Sequence, residues 1–411
     1  MSLRLAAIAD DLTGATDLAL TLARAGMNVK QLVGVPADPA VLAGADAVVV
    51  SLKSRTIPAE EAVAQSRAAA QALLAAGAQQ LFFKYCSTFD STDAGNIGPV
   101  INALLDLVGE DRTLACPAFP TNGRTLYKGH LFVGDQLLSD SPMKDHPLTP
   151  MRDANLVRVL QKQTDRAVRL VELRSVRGGM LGEALAGAAG IAIVDAVEDS
   201  DLLAIGRAAS GMRLITGGSG VAMGLPANWK IEPVAMIARR DAPVGRAVIL
   251  AGSCSAATRR QIDLALGTGF SGLQLDPVEI AEGRQTVSQA IEFAAASSSV
   301  PVIYASATPE AVSRSQSVLG REQAGSVVEQ FLSQLAPMLV ERDFGRLIIA
   351  GGETSGAVVE GLGLDSLDIG PEIDPGVPWM YSHAAGTPIA IALKSGNFGA
   401  DTMFLKAWDL L

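Results

Sequence analysis

The chain has 411 residues, 49% of them hydrophobic and 18% charged, which excludes disorder and suggests two or three domains with buried cores. Aromatic residues make up only 4% beside 41 glycines, a mixture that suits helices packed on parallel strands better than an aromatic-rich β sandwich. The 33 Lys and Arg against 43 Asp and Glu give a formal charge of −10 with no Lys/Arg run, which argues against a nucleic-acid partner.

The predicted elements alternate along the chain. Residues 5–9 read as a strand that leads through Asp10–Gly14 into a helix over 15–25. A strand at 47–51 precedes a helix from about 58 to 76, with Pro58 at its first position. Further strands are expected at 81–84, 114–116, 191–194 and 214–216, and helices at 96–108, 179–189 and 200–209. This spacing describes βαβ units and a mainly parallel sheet. Residues 116–153 interrupt the rhythm with a hairpin-like segment at 124–138 and a Pro-rich loop, the size of a lid, a binding loop or a homodimer arm. Residues 224–244 lack periodicity, which sets a boundary near 230–245 and domains over 1–235 and 246–411. The second half restarts with strands at 247–251, 302–304, 347–350 and 389–393 and helices at 256–266, 287–295, 325–341 and 355–362. The fold class expected is α/β, as two α/β domains with mainly parallel sheets.

Chemistry-bearing residues gather at predicted strand ends, where open α/β sheets bind ligands. Asp10 and Asp11 follow the first strand in ADDLTGATD. They could accept substrate hydroxyls, hold Mg²⁺ through water, supply a base, or simply cap the next helix. Lys84 opens KYCSTFDSTDAGN, whose Ser87, Asp90 and Asn96 suit a polyhydroxylated ligand, with Asp90 a candidate base. Arg55 in SLKSRT can meet a carboxylate bidentately or form a surface ion pair. The three histidines, among them His130 and His146 in the insertion, cannot build a His-rich metal site.

TGGSG at 216–220 has its next glycine at Gly224 and misses the dinucleotide spacing, and no P-loop occurs. Three second-half strand ends carry Gly/Ser/Thr turns: GSCS at 252–255, GGETSG at 351–356 and KSGNFG at 394–399. Such turns bring backbone N–H groups and helix N-termini to phosphates, and three on one domain favour a nucleotide site. Cys254 is read as a small packing residue.

The mean hydropathy of +0.29 is high, yet no uncharged apolar run reaches the ~18 residues a membrane span needs. Asp10 and Asp11 come too early for the apolar core of a signal peptide. Cys86, Cys116 and Cys254 have neither metal-ligand spacing nor an even count. A cytoplasmic enzyme or binding protein is expected.

ADDLTGATD (9–17), SLKSRT (51–56), DSTDAGN (90–96), TGGSG (216–220), GSCSAATR (252–259), GGETSG (351–356) and LKSGNFG (393–399) occur in this order. With them the chain resembles the four-carbon acid sugar kinases nearly end to end. KYCSTFDST (84–92), CPAFPTNGRTLYKGHLFVGD (116–135) and MKDHPLTPMRDANL (143–156) make it most similar to the 3-oxo-tetronate 4-kinase branch. Threonate and erythronate kinases, the alternative within the family, carry a shorter Lys-x-x-Asp-Ser-Thr form. Asp93-Ala94 departs from the hydrophobic-basic or Pro-Lys pair of related kinases.

The resemblance implies a sugar-acid domain, an ATP domain and an active-site cleft between them. It implies a sugar-acid site of Asp10, Asp11, Arg55, Lys84 and Asp90, to which the hydroxyl-rich segment adds Ser87 and Asn96, and Asp90 or Asp11 is the base expected. Arg55 and Lys84 would meet the substrate carboxylate. ATP would be held by Ser253 or Ser255, by Gly351, Gly352, Glu353 and Thr354, and by Gly396, beside which the third glycine turn offers Asn397, with Mg²⁺ on the phosphates through unassigned ligands. The reaction expected is phosphorylation of the 4-hydroxyl of a 3-oxo-tetronate. An NAD-dependent sugar-acid dehydrogenase is the alternative from another class, and the broken glycine fingerprint argues against it.

Overall fold

A computed structural model describes residues 3–411 except 37, 38, 147 and 239, so Pro147 of the Pro-rich loop lies outside the described residues. The chain forms two compact units, Met1–Ala235 and Met236–Leu411.

The first unit is built on β1 (Leu5–Ala9), β2 (Val29–Val33), β3 (Ala47–Ser51), β4 (Gln80–Lys84) and β5 (Arg112–Cys116). A small meander follows, β6 (Arg124–Tyr127), β7 (His130–Val133) and β8 (Gln136–Leu137), and then β9 (Val168–Val171), β10 (Gly190–Val194) and β11 (Leu214–Gly217). The main strands run in the order β2-β3-β1-β4-β11-β5-β10-β9, and every pairing among them is parallel. Helices cover both faces of such a sheet, so β1, β3 and β10 are apolar or small throughout and entirely buried. The register aligns Ala9 with Ser51 and Lys84, and Lys84 with Gly217. The segments after β1, β3, β4 and β11 therefore leave the sheet at one level.

The insertion is a three-stranded antiparallel sheet, β6-β7-β8, whose first hairpin falls where the sequence suggests one. It is tied to the unit through Asp195, which accepts from the backbone N–H groups of Lys128 and Gly129 at 2.9 Å and of Leu173 at 3.2 Å. Leu126 also forms an antiparallel bridge to Ala196.

The second unit contains β12 (Ala247–Ala251), β13 (Ser271–Gln274), β14 (Pro301–Tyr304), β15 (Arg346–Ala350), β16 (Ser366–Asp374), β17 (Val377–Ala384) and β18 (Thr387–Lys394). Their order is β13-β14-β12-β15-β18-β17-β16, parallel from β13 to β18 and antiparallel across β18-β17-β16. The α/β class with largely parallel sheets is as expected, while the antiparallel β16–β17 hairpin is an addition. Trp379 on β17 is fully buried and donates its indole N–H to the Ala407 carbonyl at 2.9 Å, anchoring the C-terminal segment on the core. Among the described residues no helix is long and apolar enough to cross a membrane.

Candidate functional site

In the first unit Asp10 is held between strand ends, its N–H donating to the Lys84 carbonyl and its own carbonyl accepting from Ser54 N–H. Asp11 caps helix Leu12–Arg24 by accepting from Gly14 N–H at 3.1 Å, and it also accepts from the Thr13 hydroxyl at 2.8 Å. Asp11 thus caps the helix, as one reading of this pair expects.

Arg55 gathers the carboxylates. It donates from Nε and Nη2 to Asp10, both at 2.8 Å, and from Nη2 to Asp11 at 2.7 Å, while its Nη1 lies 3.6 Å from Asp90. The guanidinium expected to meet a substrate carboxylate is thus occupied by the chain's own acids. Asn96, expected to touch substrate, donates its amide to the carbonyls of Ser54, Arg55 and Ile57 at 2.7, 3.2 and 2.9 Å, fixing the loop that carries Arg55.

The charges are tuned in opposite directions. Burial raises Asp10 above the ordinary carboxylate range, against the pull of Arg55. Burial opposes ionisation of Asp11 too, but Arg55, Lys84, the Thr13 hydroxyl and Gly14 N–H together hold it below that range. Asp17, one helical turn beyond Gly14, is raised by burial despite the field of Lys84.

Lys84 is 4% exposed, and its ammonium forms no hydrogen bond with any described residue. Gly14 makes room for it: a Cβ there would lie 2.4 Å from Lys84 Nζ and 2.2 Å from Asp11 Oδ1. Of the two cations expected to bind a carboxylate, Lys84 has the donors to spare. Gly14 and Asp17 carry this geometry unassigned by the sequence reading; their i, i+3 spacing on one helix face was the available signal.

The Asp90 turn is strained. Phe89 and Asp90 both take positive φ, 67° and 41°, a conformation that side chains bearing Cβ adopt only when their surroundings enforce it. Two contacts do so. Phe89 packs edge-on to Tyr85 at 5.5 Å. The Thr88 hydroxyl donates to Asp90 Oδ1 at 2.6 Å, which leaves Cys86 Sγ, 2.9 Å away, as donor to Thr88. Ser87 is half-buried beside them. Asp10, Ser54, Arg55, Asp90, Ser91 and Asn96 line one small hollow.

The second unit holds a cavity of about 870 Å³, within the range of small-molecule sites. Its lining includes the C-terminal ends of β12 to β15: Gly252–Cys254, Gln274–Glu279, Ala305 and Ala307, and Gly351–Thr354. Helices Pro309–Leu319 and Arg321–Val340 complete it with Ala311, Val312, Gly325 and Val328. Ser253, Gly351, Gly352, Glu353 and Thr354, expected at an ATP site, all line this cavity. The helix walls carry no signal in the sequence, because small residues on amphipathic helices read as ordinary packing.

The three glycine turns meet. A Cβ at Gly252 would lie 2.2 Å from Thr354 Oγ1, and one at Gly396 would lie 2.5 Å from Ser253 Oγ. Gly351, at φ 131°, precedes helix Gly352–Gly361 and offers no side-chain cap, so the helix's first N–H groups are free of one at the cavity. Ser255, Gly396 and Asn397 do not line the cavity. Ser255 caps helix Ala256–Gly267 and donates to the Gly396 carbonyl at 2.5 Å, so Ser255 and Gly396 hold two of the turns together. Among the described residues no group of three His, Cys, Asp or Glu could hold a metal ion.

Comparison with known proteins adds the context. Residues 5–225 match the family model of a sugar-binding N-terminal domain, and residues 248–404 that of a nucleotide-binding C-terminal domain. A 3-oxo-tetronate kinase of Burkholderia multivorans is 51% identical over 98% of this chain and 96% of its own. The corresponding enzyme of Methylobacterium radiotolerans is 48% identical over the whole of both chains. A solved Haemophilus influenzae protein superposes with a TM-score of 0.83 at 40% identity, covering 98% of this chain and 99% of that one. One from Salmonella typhimurium LT2 reaches 0.88 at 38% identity, covering 98% of each.

Proposed function

We propose, because this chain belongs to the family of 3-oxo-tetronate kinases, that it transfers the γ-phosphoryl group of ATP to the 4-hydroxyl of a 3-oxo-tetronate. The products are the 4-phosphate, ADP and a proton. The observation that carries this reading is the near full-length match to kinases of this name, across both a sugar-binding and a nucleotide-binding domain. The threonate, erythronate and dehydrogenase readings have no comparable support.

The first domain, proposed as 1–235, binds the sugar acid. Lys84, with an uncommitted ammonium, meets the C1 carboxylate, and Asp10, Asp11 and Ser87 receive hydroxyls. Of the two candidate bases, Asp11 already accepts three hydrogen bonds, from Arg55, Thr13 and Gly14, which leaves room for one substrate hydroxyl on Oδ2. Asp90 accepts one close bond on Oδ1, and Oδ2 faces Arg55 only at 3.6 Å. Asp90 therefore takes the proton of the 4-hydroxyl as the oxygen attacks phosphorus. Arg55 keeps the acids apart and in place.

The second domain, proposed as 246–411, binds ATP in the 870 Å³ cavity. Gly351–Thr354 offers helix-terminal N–H groups to the phosphates, and Ala311, Val312, Gly325 and Val328 on the helix walls, with Arg314, Ser315, Gln316 and Glu329 among them, form a mixed apolar and polar surface for the nucleoside. The lack of a three-ligand metal group is no obstacle to Mg²⁺, which binds nucleotides largely through phosphate and water. Glu353 is the carboxylate beside the phosphate-facing helix start that would hold it. When bound, the ion neutralises phosphate charge.

The test is ADP release with ATP and each four-carbon acid in turn, 3-oxo and reduced, in both configurations at C2. Turnover is expected with a 3-oxo acid, with Asp90→Asn lowering kcat by about 10²–10⁴-fold. Turnover confined to threonate or erythronate would refute the substrate assignment, and undiminished activity of Asp90→Asn would refute the base.

A further inference from the structure

Lys394 closes β18, and its side chain is fully buried. An ammonium has three N–H donors, and all three find neutral oxygens: Thr258 Oγ1 at 2.8 Å, the Gly396 carbonyl at 2.9 Å and the Ser395 carbonyl at 3.1 Å. No carboxylate among the described residues pairs with it. A buried cation without a counter-charge is costly, and burial pushes this amine down to about 8.

The ionisable groups on the packed elements do not supply the missing charge. Arg346 on β15 donates to the Gly245 carbonyl, and Arg260 of helix Ala256–Gly267 pairs with Asp401. Arg259 and Asp263 on that helix, Glu353 and Glu360 on helix Gly352–Gly361, and His383 on β17 form no hydrogen bond or ion pair with Lys394. What Lys394 does touch is the machinery of the cavity. Its carbonyl accepts from Gly351 N–H at 2.9 Å, just before helix Gly352–Gly361. Its ammonium holds the turn whose Gly396 packs against Ser253 on the cavity lining.

We propose that Lys394 is a positioning residue for the nucleotide, a buried charge behind the glycine turns whose counter-ion is the bound phosphate chain. This assignment rests on the reading of the cavity as the ATP site. An oligophosphate seated on the turns stabilises the charged ammonium, so nucleotide binds the protonated form better. By linkage, binding then draws a proton onto Lys394 wherever the empty protein holds it partly neutral.

The experiment is calorimetric titration of the full chain with ADP at pH 8.5, in two buffers of different ionisation enthalpy. ADP's own phosphates are fully ionised at this pH, and Cys254, a thiol on the cavity lining, is common to every protein compared. The unmodified protein should take up roughly half a proton per ADP bound. Lys394→Arg, permanently charged, and Lys394→Gln, permanently neutral, should each take up none, and either variant alone completes the comparison if the other does not fold. ADP affinity of the unmodified protein should fall between pH 7.5 and 9.5, while that of Lys394→Arg stays level. Equal proton uptake in the unmodified protein and a variant, or none in the unmodified protein, would overturn the assignment while leaving the ATP site standing. Failure of ADP to bind the unmodified protein would overturn both.

Discussion

Arg55 grips Asp10 through two parallel hydrogen bonds of 2.8 Å, although 45 residues separate them in the chain. The same guanidinium reaches Asp11 and Asp90, so one cation contacts three largely buried acids. Removing one partner of a buried ionic group leaves uncompensated charge, at about 3–5 kcal/mol. Arg55→Met should therefore lose about 3 kcal/mol or more of unfolding free energy in urea. Arg55→Lys, which cannot form the fork, should recover only part of it. A loss below about 1 kcal/mol in Arg55→Met, the range of a surface pair, would show that the cluster is not held in this way.

Gly14 makes a separate demand on space. An added methyl would intrude on both Asp11 and Lys84, and overpacking typically costs about 1–3 kcal/mol. Gly14→Ala should raise KM for the sugar acid by at least about tenfold, the equivalent of about 1.4 kcal/mol of lost binding. ADP affinity, which belongs to the other domain, should not change. Steady-state kinetics and ADP titration separate the two effects, and an unchanged KM would contradict the placement of Lys84.

Thr88 holds Asp90 by a single short bond. Thr88→Val removes the donor while keeping the shape, so kcat should fall about tenfold with KM for ATP unchanged. Thr88→Ser, which restores the hydroxyl, should recover most of it. Equal kcat values in Thr88→Val and Thr88→Ser would remove Thr88 from the account.

Lys394 predicts a pH dependence of stability. Its amine sits at about 8 in the folded protein against an ordinary 10.5. Between these values the unfolded chain binds more protons, so stability rises with pH. The gain attributable to Lys394 is about 3 kcal/mol at most between pH 8 and 10.5. Subtracting unfolding free energies of Lys394→Met from those of the unmodified protein should give a difference that grows in favour of the unmodified protein across this window. A level difference would show that Lys394 is not held in a desolvated state.

The sequence marks the sites well where strand ends carry them. Asp10, Asp11, Lys84 and Asp90 were legible because parallel strands bring their C-terminal ends to one edge, and short apolar runs locate those ends. The partner of Arg55 was not legible, since pairing across 45 residues is a tertiary choice. Ser255 and Gly396 illustrate a different difficulty. Serine and glycine at a turn serve a phosphate or the turn itself equally well, and here Ser255 bonds the Gly396 carbonyl. The β16–β17 hairpin has no clean alternation in the sequence because Pro371, Pro375 and Gly376 interrupt it, although Pro375-Gly376 marks the turn. Lys394 closes an apolar strand run just as Lys84 does, a parallel visible in the sequence whose meaning depends on burial.

The most direct test of the central claim is the structure of the product. The enzyme, ATP and a 3-oxo-tetronate should yield a single phosphate monoester whose ³¹P signal couples to the two C4 protons, formed in step with ADP. Phosphorus coupled to C2, or ATP left intact with every 3-oxo acid, would contradict it.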